Sequence, residues 1–313
     1  MSSTLTTTFH GNQILDRIEH RFENVLIDSV VMEKLPDHVR GTLSLTISDQ
    51  DPRALFFQTT QIGLTLLPSV YMEIAALASI VCTEYNREHL IVFASISQFV
   101  VHHTWLINTP LTGIVLKGKE KGGFIRCQAT LTCQNNPVAT GHLMAYIIDP
   151  SKLGGTPTSK LGSTPLLTEN TPIPTTLFHR DPAMVWVHHV RHFTPNTLVT
   201  DYTYPASHPL TRGHFPDKPI MMGVMQLQAM EDSILVFGLR SGLTHTTITA
   251  DAEIIRDDTQ AVVCEAKRLT IRLYEYQSQL ASQLVSVDKI AFRDPVQPNT
   301  RLFIHLKNII WAS

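Results

Sequence analysis

Residues 213–230 read Gly213-His214-Phe215-Pro216-Asp217-Lys218-Pro219-Ile220-Met221-Met222-Gly223-Val224-Met225-Gln226-Leu227-Gln228-Ala229-Met230. His214 stands in a turn-like Gly/Pro run that leads straight into an apolar segment, read as a helix over 224–239. Strand-like runs surround it: 184–193 and 197–204 before, then 247–256, 261–276, 284–292 and 301–310 after. Within the longest of these, Leu269, Ile271 and Leu273 alternate with Thr270, Arg272 and Tyr274, the period-two pattern of a half-buried strand.

The chain ahead of this segment repeats the same order. Runs at 25–35 and 39–48 precede an apolar helix around 70–85, and runs at 90–101, 111–117, 124–133 and 138–148 follow it. A single long helix followed by consecutive strands predicts an antiparallel sheet wrapped around that helix, an α+β arrangement, once in each half. Between the halves, Ser151-Lys152-Leu153-Gly154-Gly155-Thr156-Pro157 is nearly copied by Ser159-Lys160-Leu161-Gly162-Ser163-Thr164-Pro165. Such composition buries too little apolar surface to order itself, so the expected organisation is a domain over 1–149, a linker over 150–176 and a domain over 177–313. A gapless shift of 155 residues sets Thr59 opposite His214, Leu67 opposite Met222, Pro68 opposite Gly223 and Glu73 opposite Gln228, and a register one shorter sets Pro68 opposite Met222 and Ile74 opposite Gln228.

Bulk properties narrow the function. Of the 313 residues, 43% are hydrophobic and 17% charged, a globular composition with room for two cores. With 25 Lys+Arg against 27 Asp+Glu, the basic excess of a nucleic-acid binder is missing. The start lacks an export pattern, and the longest apolar stretch, 70–82, is short for a bilayer and contains Glu73. Cys82, Cys127, Cys133 and Cys264 have no metal-type spacing. The expectation is a cytoplasmic protein with reduced thiols and no membrane partner. His102-His103 and His188-His189 are adjacent pairs whose side chains point to opposite faces of a strand, so they are not read as metal sites. No metal and no cofactor are expected, since no phosphate-cradling or dinucleotide motif is present.

The run from Gly213 to Met230 resembles the β-hydroxyacyl-carrier-protein dehydratases of the hot-dog superfamily, which carry Gly-His-Phe-Pro, then Pro, an aliphatic residue, Met, Pro and Gly, then a helix. Tyr71-Met72-Glu73-Ile74-Ala75 similarly resembles the helix of polyketide-synthase dehydratase domains. The resemblance implies a tandem double hot-dog, with each site built from the His of one half and the acid of the other. Carried onto this chain, it implies that His214 meets Glu73, while Thr59 and Gln228 form a dead reciprocal site. It also implies an oxyanion contact from the Gly223 N–H, with Phe215, Met222 and Gln228 among the substrate-binding residues. Two departures stand out: Gln228 replaces an acid, and Met222 replaces a proline.

The residue chemistry supports the pair separately. A lone Glu73 on a helix apolar nearly all round is desolvated, which raises its pKa and keeps it protonated, as a general acid requires. A neutral imidazole at His214 can take an α-proton. Glu231 and Asp232 share the helix face of Gln228; either could substitute as the acid, but they are read as a solvated face. The Met-rich stretch is read as core or pocket lining.

Three functions stay open. The first is dehydration of a β-hydroxyacyl thioester on an acyl carrier protein or coenzyme A, in fatty-acid or polyketide-type biosynthesis. The second is a hot-dog thioesterase, or conjugate addition of water or an amine to a 2-enoyl thioester, by the same residues. The third is a non-catalytic partner subunit. Arg212 and Lys218 are the basic residues nearest the expected mouth, where a carrier would dock. Further assembly into a homo-oligomer through sheet edges is left open.

Overall fold

In the computed structural model, residues 5–83, 90–148, 160–162 and 165–312 are described. The first half runs β1 (Leu5–His10), α1 (Asn12–Leu15), β2 (Ser29–Lys34), β3 (Val39–Leu45), β4 (Phe57–Thr60), β5 (Gly63–Leu66), α2 (Tyr71–Val81), β6 (Leu90–Val101), β7 (Leu111–Lys117), β8 (Phe124–Cys133) and β9 (Asn136–Ile148). The second runs β10 (Thr171–Pro172), β11 (His189–Thr194), β12 (Thr197–Thr203), α3 (Gly223–Arg240), β13 (Thr247–Arg256), β14 (Val262–Tyr276), β15 (Gln279–Phe292) and β16 (Arg301–Ala312). No helix among the described residues is long and apolar enough to cross a membrane.

The long strands obey the period of two. In β7, Leu111, Gly113 and Val115 face inward while Thr112 and Ile114 face out, and in β13 Ile248, Ala250, Ala252 and Ile254 are buried in alternation until a register shift buries Ile255 as well. Both long helices are enclosed instead of amphipathic. Every residue of α2 is buried, and so is every residue of α3 from Val224 to Gly238. Pro68 opens the 3-10 turn that feeds α2, where its missing N–H costs nothing. At the end of α3, Gly242 takes φ 66°, the left-handed conformation that lets its N–H and that of Leu243 bond the carbonyls of Leu239 and Gly238.

Fourteen strands form one sheet in the order β1-β2-β3-β7-β8-β9-β6-β15-β14-β13-β16-β12-β11-β10, with β4 and β5 as a separate hairpin. Helix α2 packs on β3, β7, β8 and β9, and α3 on β12 to β16. The result is two helices, each wrapped by half of a continuous antiparallel sheet: a tandem hot-dog. The halves join where β6 pairs antiparallel with β15, from Ser286↔Val100 to Ala291↔Ser95.

The two halves reach the same shape by different routes. In the first, the chain leaves α2 for the junction strand β6, crosses back to lay β7 beside β3, and meanders through β8 and β9 to close on β6. In the second, the meander β13-β14-β15 comes first and ends at the junction, and β16 crosses back between β12 and β13. The layout repeats, but the strand order does not.

Several element bounds differ from the sequence reading. The run at 25–35 becomes strand only from Ser29, following a 3-10 turn at Phe22–Asn24, and the run at 184–193 only from His189, after a turn at Pro182–Met184. Strands β1, β4, β5 and β10 are short or polar and lack a legible alternation. Of the stretch read as a linker, residues 150–159 and 163–164 lie outside the described residues. Within 160–162, Gly162 donates to the Gln260 carbonyl (2.8 Å) and Lys160 accepts from Val262 (3.0 Å).

One buried bond ties α2 to the chain beyond β6: the Trp105 backbone N–H donates to the Tyr71 hydroxyl at 2.8 Å, with both residues fully buried. Tyr71→Phe orphans that donor and is expected to cost about 1–3 kcal/mol. Urea denaturation of the variant checks this, and an unchanged midpoint would contradict it.

Candidate active site

The site is assembled from three separated segments. The 3-10 turn Pro209–Arg212 leads into Gly213 and His214, and the first half presses a loop directly against it. Arg21 donates its backbone N–H to the Gly213 carbonyl at 2.9 Å, and Asn24 Nδ2 donates to the Leu210 carbonyl at 3.3 Å. Arg212 pairs with the buried Glu23 carboxylate at 2.7 Å. A side chain at residue 213 would collide with Asn24 Nδ2 and the Arg21 carbonyl, so only glycine permits this approach.

That clamp brings His20 beside His214. Their rings meet edge to face with centroids 4.8 Å apart, and His214 stacks on Phe215 at 4.4 Å. Nδ1 of His214 lies 3.0 Å from the Ile220 carbonyl. A carbonyl only accepts, so Nδ1 carries the proton and the lone pair sits on Nε2. From the other side, the first turn of α2 delivers Glu73, which is 1% exposed. His20 Nε2 lies 3.1 Å from Glu73 Oε1, out of line for a formed hydrogen bond. Both nitrogens of His20 and Oε2 of Glu73 are buried without a hydrogen-bond partner.

Burial decides the protonation states. Desolvation lifts Glu73 to about 7, although His214 nearby works in the opposite direction. It lowers His214 to about 4, assisted by His20, and His20 to about 3, assisted by Arg21. Near neutral pH the His20–Glu73 contact is therefore not an ion pair. It joins a neutral imidazole to a carboxyl group that titrates in the physiological range.

These groups open on a cavity of about 230 Å³. Ile91, Phe93, Phe124, Tyr146, Met221 and Phe292 are among the side chains that make its walls mostly apolar. Gly223 stands on the wall at the start of α3, and a side chain there would press on the Phe292 ring at 3.1 Å. The first N–H groups of a helix have no partner within it, and the helix dipole favours negative charge there. Phe215 also lines the cavity.

Met222 and Gln228, both read as substrate-binding, are not on this wall. Met222 packs in the core, where Met221 and Ile220 take the lining positions, and Gln228 is fully buried. Among the lining residues that escaped the sequence reading are His20 and Gln226. His20 lies in the polar run Glu19-His20-Arg21, which signals nothing locally. Gln226, with an unpartnered buried Oε1, was accessible in principle, because three residues beyond Gly223 it shares a helix face.

The reciprocal position is filled. Thr59 is exposed, and its N–H donates to the His179 carbonyl at 2.7 Å, whereas the Gln228 carboxamide accepts from Ser69 at 2.9 Å and donates to Asp232 at 3.1 Å. Asp232 also accepts from the Trp186 N–H at 2.9 Å and pairs with Arg180, both side chains being at most 2% exposed. The expected solvated face at Glu231 and Asp232 does not exist, because the sheet encloses that side of α3. Glu231 instead accepts from Ser282 at 3.2 Å, and burial pushes it up to about 7. The basic residue on the open cavity's wall is Arg293, paired with Glu265, and not Arg212 or Lys218.

One ligand atom from each of His20, Glu73 and His214 lies within 4.8 Å of the others, so the cluster offers a divalent cation two imidazoles and a carboxylate. Of the adjacent histidine pairs, His102 contacts Thr140 (2.9 Å) and His189 contacts Asp201 (3.0 Å).

No protein-family model matches the sequence, and no curated protein matches it either. Solved structures with a similar course of chain include a variant of the PpsC dehydratase domain from Mycobacterium tuberculosis, at 10% identity and TM-score 0.46 over 93% of this chain and 99% of that one. A structure on dehydratase substrate selection in the borrelidin and fluvirucin polyketide synthases matches at 11% identity and TM-score 0.42, over 95% and 94%. The dehydratase heterocomplex ApeI:P from Xenorhabdus doucetiae matches at 16% identity and TM-score 0.38, over 44% and 92%. The tandem hot-dog assignment stands on the enclosed helices and the sheet described above.

Arg180→Met would leave the Asp232 carboxylate buried without its cation, at an expected cost of about 3–5 kcal/mol. Arg180→Met/Asp232→Leu should recover most of that loss. Chemical denaturation of both variants measures it, and a single-variant loss near zero would rule out the buried pair.

Proposed function

We propose that this chain is a dehydratase of β-hydroxyacyl thioesters, with His214 as base and Glu73 as acid. The observation that carries this reading is the meeting, in one apolar cavity, of a buried imidazole and a buried carboxyl group, each supplied by a different half of the chain, with burial lowering the pKa of the first and raising that of the second to about 7. His214 Nε2 takes the α-proton, made acidic by the thioester carbonyl. Glu73 gives its proton to the β-hydroxyl, the C–O bond breaks, and water leaves as the α,β double bond forms. The N–H groups at the start of α3, beginning at Gly223, face the negative charge that builds on the thioester oxygen. Proton transfer from His214 back to Glu73 restores the resting state. Hydration of a 2-enoyl thioester is the same path reversed. The substrate is carried on an acyl carrier protein or coenzyme A, with the acyl chain in the apolar cavity.

Mass spectrometry of matched 3-hydroxyacyl and 2-enoyl thioesters, on both carriers, tests the reading. Wild type is expected to remove or add water, and His214→Ala and Glu73→Gln to be slower by roughly 10²–10⁴-fold. Release of free thiol and acid would make the protein a thioesterase, an amine adduct would make it a conjugate-addition enzyme, and no turnover would remove the catalytic reading.

The pH profile follows from the two shifts. The base must be neutral and the acid protonated, so kcat/KM should be level between about 4 and about 7. It should fall above that window as Glu73 ionises and below it as His214 gains a proton. A rate still rising at pH 9 would contradict these roles.

Exhaustive dialysis against a chelator should leave turnover unchanged. Loss of activity restored by Zn²⁺ would instead make His20, Glu73 and His214 the ligands of a required ion.

A further inference from the structure

The acid step leaves a difficulty that the His214–Glu73 pair solves only in part. Once Glu73 has given up its proton, a carboxylate remains inside an apolar cavity, 1% exposed; the protonated His214 nearby offsets its charge, but a buried carboxylate without hydrogen bonds is still disfavoured. Among the described side chains lining the cavity, His20 places a ring nitrogen within reach of Glu73, its Nε2 being 3.1 Å from Oε1. His20 is itself 3% exposed, with both ring nitrogens unpartnered.

We propose that His20 is a positioning residue for the acid step: its Nε2–H turns onto Oε1 of Glu73 as the carboxyl group loses its proton, and holds the carboxylate until the proton returns. The catalytic consequence rests on the dehydratase reading, but the coupling between His20 and the Glu73 proton does not.

The contact is made by one oxygen of Glu73: Oε1 lies against His20, whereas Oε2 is buried without a hydrogen-bond partner. A bond from a neutral N–H strengthens when its acceptor becomes charged, so the His20 contact is worth more after proton transfer than before it. That difference is what accelerates a step, because an interaction equal in both states would not. His20 is also held where it must be. Arg21, the next residue, is bonded to Gly213, and the His20 ring stands edge-on to both His214 (4.8 Å) and Phe215 (5.2 Å). One clamp therefore sets His20, His214 and their separation together. The other ionisable groups nearby are Arg21, beside His20, and Arg293 and Asp294 on the cavity wall, with Arg293 engaged by Glu265.

The experiment compares His20→Phe, which removes the donor, with His20→Gln, whose amide N–H can replace it. The ionisation of Glu73 is read without substrate, by infrared difference between each protein and its Glu73→Gln counterpart across a pH titration. Steady-state kinetics of the same proteins are measured in parallel. In His20→Phe the Glu73 titration should move upward by about a unit or more, and kcat should fall about 10–100-fold, the factor that one hydrogen bond to a charged group represents. KM should stay within about two-fold, as for an interaction made only beyond the ground state. His20→Gln should restore most of both. Should His20→Phe fail to fold, His20→Ala against His20→Asn makes the same comparison. An unmoved Glu73 titration in a folded His20→Phe protein overturns the proposal, and so does equal impairment of both variants with Glu73 unmoved. An upward shift in His20→Phe, in a protein whose wild type dehydrates nothing, would uphold the coupling and remove the dehydratase reading.

Discussion

Glu73 is placed in the first turn of a helix that has no wet face, and much of the structure follows from having to accommodate it. A carboxyl group in that position can stay protonated or find donors, and burial pushes it toward the first solution, up to about 7. The same desolvation acts in the opposite sense on the two imidazoles that share its cavity. The low-dielectric interior thus separates an acid from a base using no more than the charge of each group's ionised form. A water-filled cleft would leave Glu73 as a carboxylate and let His214 charge at ordinary pH.

The cluster exists only because the halves are held in one register. The β6–β15 junction makes a continuous sheet, and the Arg21, Asn24 and Glu23 contacts lock the first half's loop onto the turn preceding His214. Gly213 is the narrowest point of that interface. Across the pseudo-reciprocal position the chain has taken another course. There, Arg180 and Asp232 form a buried pair, and Gln228 is held by Ser69 and Asp232. A buried ion pair is weak evidence of stabilisation on its own, since desolvation offsets much of the attraction. It does leave that space occupied, so one half-site is a cavity and the other is packed interior.

Much of the fold was legible. Period-two alternation marked most long strands, and the unbroken apolar run around Glu73 marked a helix enclosed by sheet. Bounds failed at the starts of runs of strand-like composition that follow the 3-10 turns at Phe22–Asn24 and Pro182–Met184, because single turns carry no periodicity. Glu231 and Asp232 misled for a related reason. Charge on a helix ordinarily means solvent, and nothing local announces that Arg180, some fifty residues earlier, arrives to neutralise it.

What the sequence by itself determined is chemical and local: a histidine in a Gly/Pro turn ahead of a helix, a solitary carboxyl on an apolar helix, and alternation that commits each half to a wrapped antiparallel sheet. Which strands neighbour one another was decided only in three dimensions. A meander before the crossover and one after it have the same periodicity, so the different routes of the two halves leave no trace in the pattern. The partnership of His20, Glu73 and His214 is likewise tertiary. Their contacts span separations of 53 and 141 residues along the chain, and only long-range packing of one half against the other brings them within 4.8 Å.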